Sequence, residues 1–73
     1  MLLLYGTGHC HLCEQAEALL DALDLPFAGI DIIDDEGLLA RYGTLIPVLR
    51  DALGRELYWP FSGEDITAFL AAG

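Results

Sequence analysis

Both cysteines of this chain stand three residues apart, in the segment His9-Cys10-His11-Leu12-Cys13. A short apolar run, Met1 to Tyr5, precedes them, and an amphipathic stretch follows. A strand that ends in a loop, followed by a helix whose first turn carries C-x-x-C, constrains the fold more than any other feature here. It also places a thiol where it is partly exposed and near unpaired backbone N–H groups, which favour a thiolate. The three-residue spacing sets both sulfurs on one helix face within bridging reach. Redox chemistry is the first reading of such a segment. Cys10, at the helix start, is the expected nucleophile and Cys13 the resolving thiol. The plainer alternative is a pair of inert buried thiols.

The rest of the sequence alternates strand and helix signals. Leu2 to Tyr5 reads as a buried strand, and Gly6-Thr7-Gly8 as a turn. Leu12, Ala16, Leu19, Leu20 and Leu23 recur at helical spacing, with Glu14, Glu17 and Asp21 off that face. Pro26 closes the unit after Asp24-Leu25. A second strand is expected over Phe27 to Ile33, with Asp34 as N-cap of a short helix from about Asp35 to Tyr42. Gly43 fits the end of that helix. Leu45 to Arg50 reads as a third strand, with Pro47 removing a ladder donor near its start. Asp51-Ala52-Leu53-Gly54 forms the turn of a hairpin whose returning strand is Arg55 to Trp59. Ser62, with Asp65 three residues on, has the form of a capping box. A last helix turns Ile66, Phe69 and Leu70 inward. The order is β-α-β-α-β-β-α. It calls for a parallel right-handed first crossover, an antiparallel hairpin and a mixed four-stranded sheet flanked by helices, an α/β architecture.

At 73 residues the chain is one domain, 1–73. A domain this small buries only about 60% of the surface its unfolded chain exposes. Its apolar content of 55% makes a core plausible without a metal or a permanent disulfide. The net charge is −9, and Arg41, Arg50 and Arg55 are the fixed cations, with no lysine. Such a surface repels phosphate backbones, so nucleic acid and anionic membranes are disfavoured partners. No apolar run reaches the roughly 18–20 residues of a membrane span. There is no basic N-terminal region, and the chain starts almost directly with a strand, so a cytoplasmic location is expected; the chain is expected to be a monomer. In that compartment a cysteine pair reads as catalytic or metal-binding.

The element order, the C-x-x-C at the start of the first helix and Ile46-Pro47 at the start of the third strand together resemble the thioredoxin fold in its minimal, glutaredoxin-like form. The segment Arg41-Tyr42-Gly43-Thr44-Leu45-Ile46-Pro47-Val48-Leu49 is similar to the one that carries a cis-proline in that superfamily. Tyr5 to Cys13 most resembles small bacterial glutaredoxin-like proteins with an H-C-x-L-C core. The resemblance implies thiol–disulfide oxidoreductase activity, a cis Ile46–Pro47 bond, and an Ile46 backbone that pairs with an extended substrate. It implies no organic cofactor, with glutathione open as reductant or substrate and a protein disulfide as the other partner. Two departures stand out. The residues before Cys10 are Gly6-Thr7-Gly8-His9, where glutathione users commonly carry a basic residue. Trp59 to Asp65 replaces a Gly-Gly-Asp-like stretch, leaving only Gly63 to Asp65 as a trace of an anion-binding turn.

Several other residues invite a role. His9 and His11 flank Cys10; protonated, either stabilises a thiolate or exchanges its proton, and otherwise both are ordinary exposed residues. With the cysteines they also form a ligand set suited to zinc, copper(I) or an iron–sulfur cluster, but no second ligand pair exists in the chain. A metal or cluster carrier is thus one alternative function. A non-catalytic binding module that uses an aromatic rim is another. Tyr5, Tyr58, Trp59 and Phe61 are the candidates for that rim; Trp59 is the one expected to touch substrate, with Tyr58 and Phe61 read as packing. Asp31, Asp34 and Asp35 read as a strand end, a cap and a solvated first turn rather than a carboxylate cluster. Gly6-x-Gly8 is too short for a phosphate loop.

Overall fold

A computed structural model describes residues 1–72. Its elements are β1 (Leu2–Gly6), α1 (His11–Ala22), β2 (Phe27–Asp31), a 3-10 turn (Ile32–Asp34), α2 (Glu36–Tyr42), β3 (Val48–Arg50), β4 (Glu56–Tyr58) and α3 (Gly63–Ala71). The four strands form one sheet in the order β2-β1-β3-β4. β1 and β2 are parallel, and the remaining pairs are antiparallel. This is the mixed four-stranded α/β architecture that the element order implies.

The period-two alternation of β1 divides the core between the two sheet faces. Leu2 and Leu4 meet Ala16 and Leu20 of α1, Leu49 of β3, and Phe61 and Ile66 at α3. Tyr5 faces the other way, with Val48 of β3, Ile32 of the 3-10 turn and Tyr42 of α2. The register carries each face across the sheet, with Leu4 opposite Leu49 and Leu49 opposite Leu57. The next row, on the α2 face, aligns Tyr5, Val48 and Tyr58.

Several boundaries differ from the sequence reading, each for a local reason. The buried stripe of α1 is Cys13, Ala16 and Leu20, while Leu12 and Leu23 are exposed at 43% and 37%. Spacings of three and four centre on Cys13, and Leu12 falls to the side of that stripe. β2 stops at Asp31 rather than Ile33, because the Asp31 carboxylate accepts the Ile33 N–H at 3.0 Å and caps the 3-10 turn. Ile32 is then buried and Ile33 exposed. The N-cap of α2 is Asp35, not Asp34; its Oδ1 accepts the Leu38 N–H at 3.1 Å. β3 begins at Val48 rather than Leu45. The N–H groups of Leu45 and Ile46 both donate to Tyr42 O, at 2.8 and 3.1 Å, and Pro47 has none. Val48 is therefore the first residue able to donate to the ladder. β4 is likewise shortened to Glu56–Tyr58, since the Arg55 N–H donates to the Asp51 carboxylate at 2.9 Å.

The turns and caps follow expectation. Gly54, at φ +84°, supplies the left-handed residue of the hairpin loop and donates to Asp51 O. Ser62 and Asp65 form a reciprocal capping box at α3.

One polar group lies under the sheet beside α2. Glu56 accepts hydrogen bonds from the hydroxyls of Tyr42 and Tyr58, and Arg41 and Arg50 lie 3.8 and 3.9 Å from its oxygens. The Tyr42 hydroxyl, then that of Tyr58, hold the Glu56 carboxyl below its ordinary value against the opposing effect of burial, and the two arginines add to this. A carboxyl depressed in the folded state stabilises the fold above its unfolded pKa, and that contribution is lost as pH falls. Unfolding in urea at a series of pH values should show stability declining as the pH drops below about 4.5. Glu56→Gln should cost about 1–3 kcal/mol at pH 7 and reduce that acid dependence.

Candidate functional site

Cys10 is the N-cap of α1, one residue outside the helix proper. Its backbone is extended, its C=O accepts the Glu14 N–H at 3.1 Å, and its Sγ accepts the Cys13 N–H at 3.2 Å. A sulfur thus takes the place that a serine or aspartate oxygen holds at other helix starts. Cys10 and Cys13 are joined in a disulfide, with Cα atoms 5.2 Å apart. Cys10 is half-buried, whereas Cys13 is only 6% exposed and belongs to the inner stripe of α1.

The last residue of β1 holds that stripe close to the sheet. Gly6 lies on the same sheet face as Leu4, and a Cβ built on it would lie 3.0 Å from Cys13 Sγ and 3.2 Å from Cys13 Cβ. The Gly6-Thr7-Gly8 segment is therefore more than a turn. Gly6 closes the strand, and its missing side chain is what admits Cys13. His9 follows at φ 62°, a left-handed conformation that costs a non-glycine residue roughly 1–2 kcal/mol, and it redirects the chain into the helix cap.

A cleft of ≈ 310 Å³ opens beside the disulfide, between α1 and β2. Its lining includes Gly6, His9, Cys10 and Cys13, together with the carboxylates of Glu14, Glu17 and Asp31. No lysine or arginine lines it. His9 thus shares the cleft with the cysteines. His11 does not: it is exposed, and its Nδ1 stands 3.7 Å from Glu14.

The other expected site residues lie at the same end of the sheet but outside this cleft. The Ile46–Pro47 bond is cis, as the resemblance implies, and so is Trp59–Pro60, which the sequence reading did not anticipate. Pro47 is fully buried and Ile46 packs on the Tyr5 core. Because Tyr5 pairs with Val48, the preceding Pro47 falls beside Gly6, at the end of the sheet that carries the disulfide. The Ile46 N–H is already engaged by Tyr42 O, so only its carbonyl is on offer to an extended substrate. Trp59 is half-buried, edge-to-face on Phe61 with ring centres 5.0 Å apart.

Tyr5 is buried and stacked on Tyr42 at 4.5 Å, so it forms no part of a rim. Phe61 is core, as its packing role implies, whereas Tyr58 is exposed and bound to Glu56 rather than packed. Among the described residues, no group of three or more His, Cys, Asp or Glu side chains is placed to hold a metal ion. No helix of the described residues is long and apolar enough to cross a membrane.

The remnant of an anion-binding turn is also absorbed elsewhere. The N-terminus of α3 is occupied by its own Ser62–Asp65 box. A Cβ on Gly63 would lie 3.9 Å from Leu23 Cδ1, at the C-terminal end of α1. That end is about 18 Å along the helix from Cys10.

Gly6 makes the sharpest local test. Gly6→Ala should destabilise the oxidised protein by about 1–3 kcal/mol through overpacking against Cys13. Gly8→Ala, whose Cβ would meet nothing within 4 Å, should be nearly neutral. Thermal denaturation of the two oxidised variants measures the difference.

Comparison with known proteins agrees with this geometry. The sequence matches the family described as Glutaredoxin-like domain (DUF836) over residues 1–71. No curated protein matches. Among solved structures, an X-ray structure of target protein XcR50 from X. campestris is 44% identical, with a TM-score of 0.94, covering 100% of this chain and 99% of that one. The solution structure of XcR50 is 45% identical, with a TM-score of 0.89 and coverages of 99% and 94%. The solution structure of protein Ne2328 from Nitrosomonas europaea is 31% identical, with a TM-score of 0.79 and coverages of 93% and 87%. A thioredoxin-like sheet that presents a Cys10–Cys13 pair at the start of its first helix, matched along nearly its whole length, belongs to the glutaredoxin-like domain family.

Proposed function

We propose that this chain is a thiol–disulfide oxidoreductase working through the dithiol and disulfide states of Cys10 and Cys13. One observation carries the reading. The disulfide spans the first turn of α1, with Cys10 half-exposed at the cap, Cys13 buried, and the Cys13 N–H directed at Cys10 Sγ.

In the reduced protein that N–H and the other free donors of the helix start favour a thiolate on Cys10. The thiolate attacks one sulfur of a substrate disulfide. The substrate S–S bond breaks, and the departing sulfur takes up a proton. Cys13 then loses its proton and attacks Cys10 Sγ, releasing the second substrate sulfur as a thiol. Two electrons pass from the protein dithiol to the substrate, and no further cofactor is required. Burial protects Cys13 from outside disulfides, which suits the resolving role.

A protein disulfide is the preferred substrate over glutathione. A glutathione carboxylate needs local positive charge, and each of the three arginines is engaged by a carboxylate, Arg41 and Arg50 by Glu56 and Arg55 by Asp51. In this reading the Ile46 carbonyl, ahead of Pro47, aligns the reacting part of the substrate backbone on the β3 side of the disulfide, with Trp59 beside it, while His9 faces the cleft on the β2 side, where the rest of the substrate lies. His11 contributes little beyond its contact with Glu14. The protein acts as a monomer in the cytoplasm, where the reduced dithiol is regenerated.

The test is a redox titration that counts free thiols in buffers of known potential. A reversible two-electron transition between about −180 and −300 mV is expected. Cys13→Ser should accumulate a mixed disulfide on Cys10, and Cys10→Ser should abolish exchange. Exchange that survives in Cys10→Ser would refute the assignment.

A further inference from the structure

We infer that the cleft between α1 and β2 selects its substrate by charge, taking polypeptide disulfides flanked by lysine or arginine. This rests on the exchange chemistry proposed above and names the substrate class of the same site.

The disulfide forms part of the wall of this ≈ 310 Å³ cleft, so a substrate sulfur that enters it meets Cys10. One wall is α1. Glu14 and Glu17 lie three residues apart, on adjacent turns of its exposed side, and both line the cleft. The opposite wall is β2, ending at Asp31. Asp31 Oδ1 is occupied by the Ile33 N–H, which fixes the carboxylate at the cleft edge.

Gly29 of β2 also lines the cleft. Gly29 pairs with Leu4 across the parallel ladder, and a Cβ at this position would meet nothing within 4 Å. A glycine inside a strand is one device that lets a ligand or another backbone come close. Here it leaves room for an extended segment to lie against β2, with its side chains reaching the carboxylates on either side.

Charge decides what that segment carries. Three carboxylates line the cleft, and none of the chain's arginines does. An anionic tripeptide would enter this field uncompensated. A basic flank is attracted, and because the carboxylates are exposed the attraction is screened by salt.

The test compares reduction of three disulfide-bridged peptides that differ only in flanking residues: Lys, Ser or Glu. The reduced protein is the electron donor, and second-order rate constants are read at low ionic strength. The Lys-flanked peptide should react about tenfold faster than the Glu-flanked one, with the Ser-flanked peptide between, and the ratio should shrink in high salt. Glu17→Gln with Asp31→Asn should cut the Lys-to-Glu ratio at least threefold. Asp24→Asn with Glu64→Gln removes the same formal charge at the far end of α1 and should leave the ratio unchanged. If all three peptides are reduced at similar rates, the charge selection is wrong and the exchange chemistry stands. If both double variants lower the ratio equally, net charge rather than the cleft is responsible and the proposal fails. If none of the peptides is reduced, the exchange chemistry fails and takes this inference with it.

Discussion

The contact between Gly6 and Cys13 organises the disulfide end of this molecule. α1 must cross β1 closely enough for Ala16 and Leu20 to reach Leu2 and Leu4. Its first turn then lands on the last residue of the strand, where any side chain would strike the buried sulfur. With hydrogen at that position, Cys13 enters the core and Cys10 is left at the rim, capping the helix. The same packing that buries the apolar stripe therefore sorts two chemically identical thiols into an accessible one and a protected one.

The scarce positive charge is spent on structure. Asp51 accepts the Arg55 and Leu53 N–H groups and pairs with the Arg55 guanidinium, which closes the β3–β4 hairpin. Burial alone would raise the Asp51 carboxyl, yet those hydrogen bonds hold it below its ordinary range. Glu56 draws Arg41 and Arg50 to the α2 face of the sheet. Both arrangements compensate carboxylates that the fold buries. They leave the cleft beside the disulfide lined by Glu14, Glu17, Asp31 and His9 and by none of the arginines.

Much of the fold is legible in the residues. The spacing of apolar side chains identifies each helix and strand, and Ser62 with Asp65 marks the start of α3. C-x-x-C at a strand-to-helix junction identifies the disulfide pair. What the pattern misplaces are ends and faces. Asp31, Asp34 and Asp35 are all competent caps, and their order of use depends on which N–H groups the preceding strand leaves free. Leu45 and Ile46 have the composition of a strand, but the exit turn of α2 claims their donors. Leu12 looks like a core residue because it is leucine; its angle on the helix puts it at the surface.

The order of elements, the acidic balance and the pairing of Cys10 with Cys13 can be read from the residues alone, because these follow from spacing and composition along the chain. The roles of Gly6 and Gly29, the disulfide's place in an acid-walled cleft, and the separation of Trp59 and Ile46 from that cleft were decided only by the tertiary structure. They depend on which strand lies beside which and how closely a helix approaches the sheet, and no local periodicity encodes those distances.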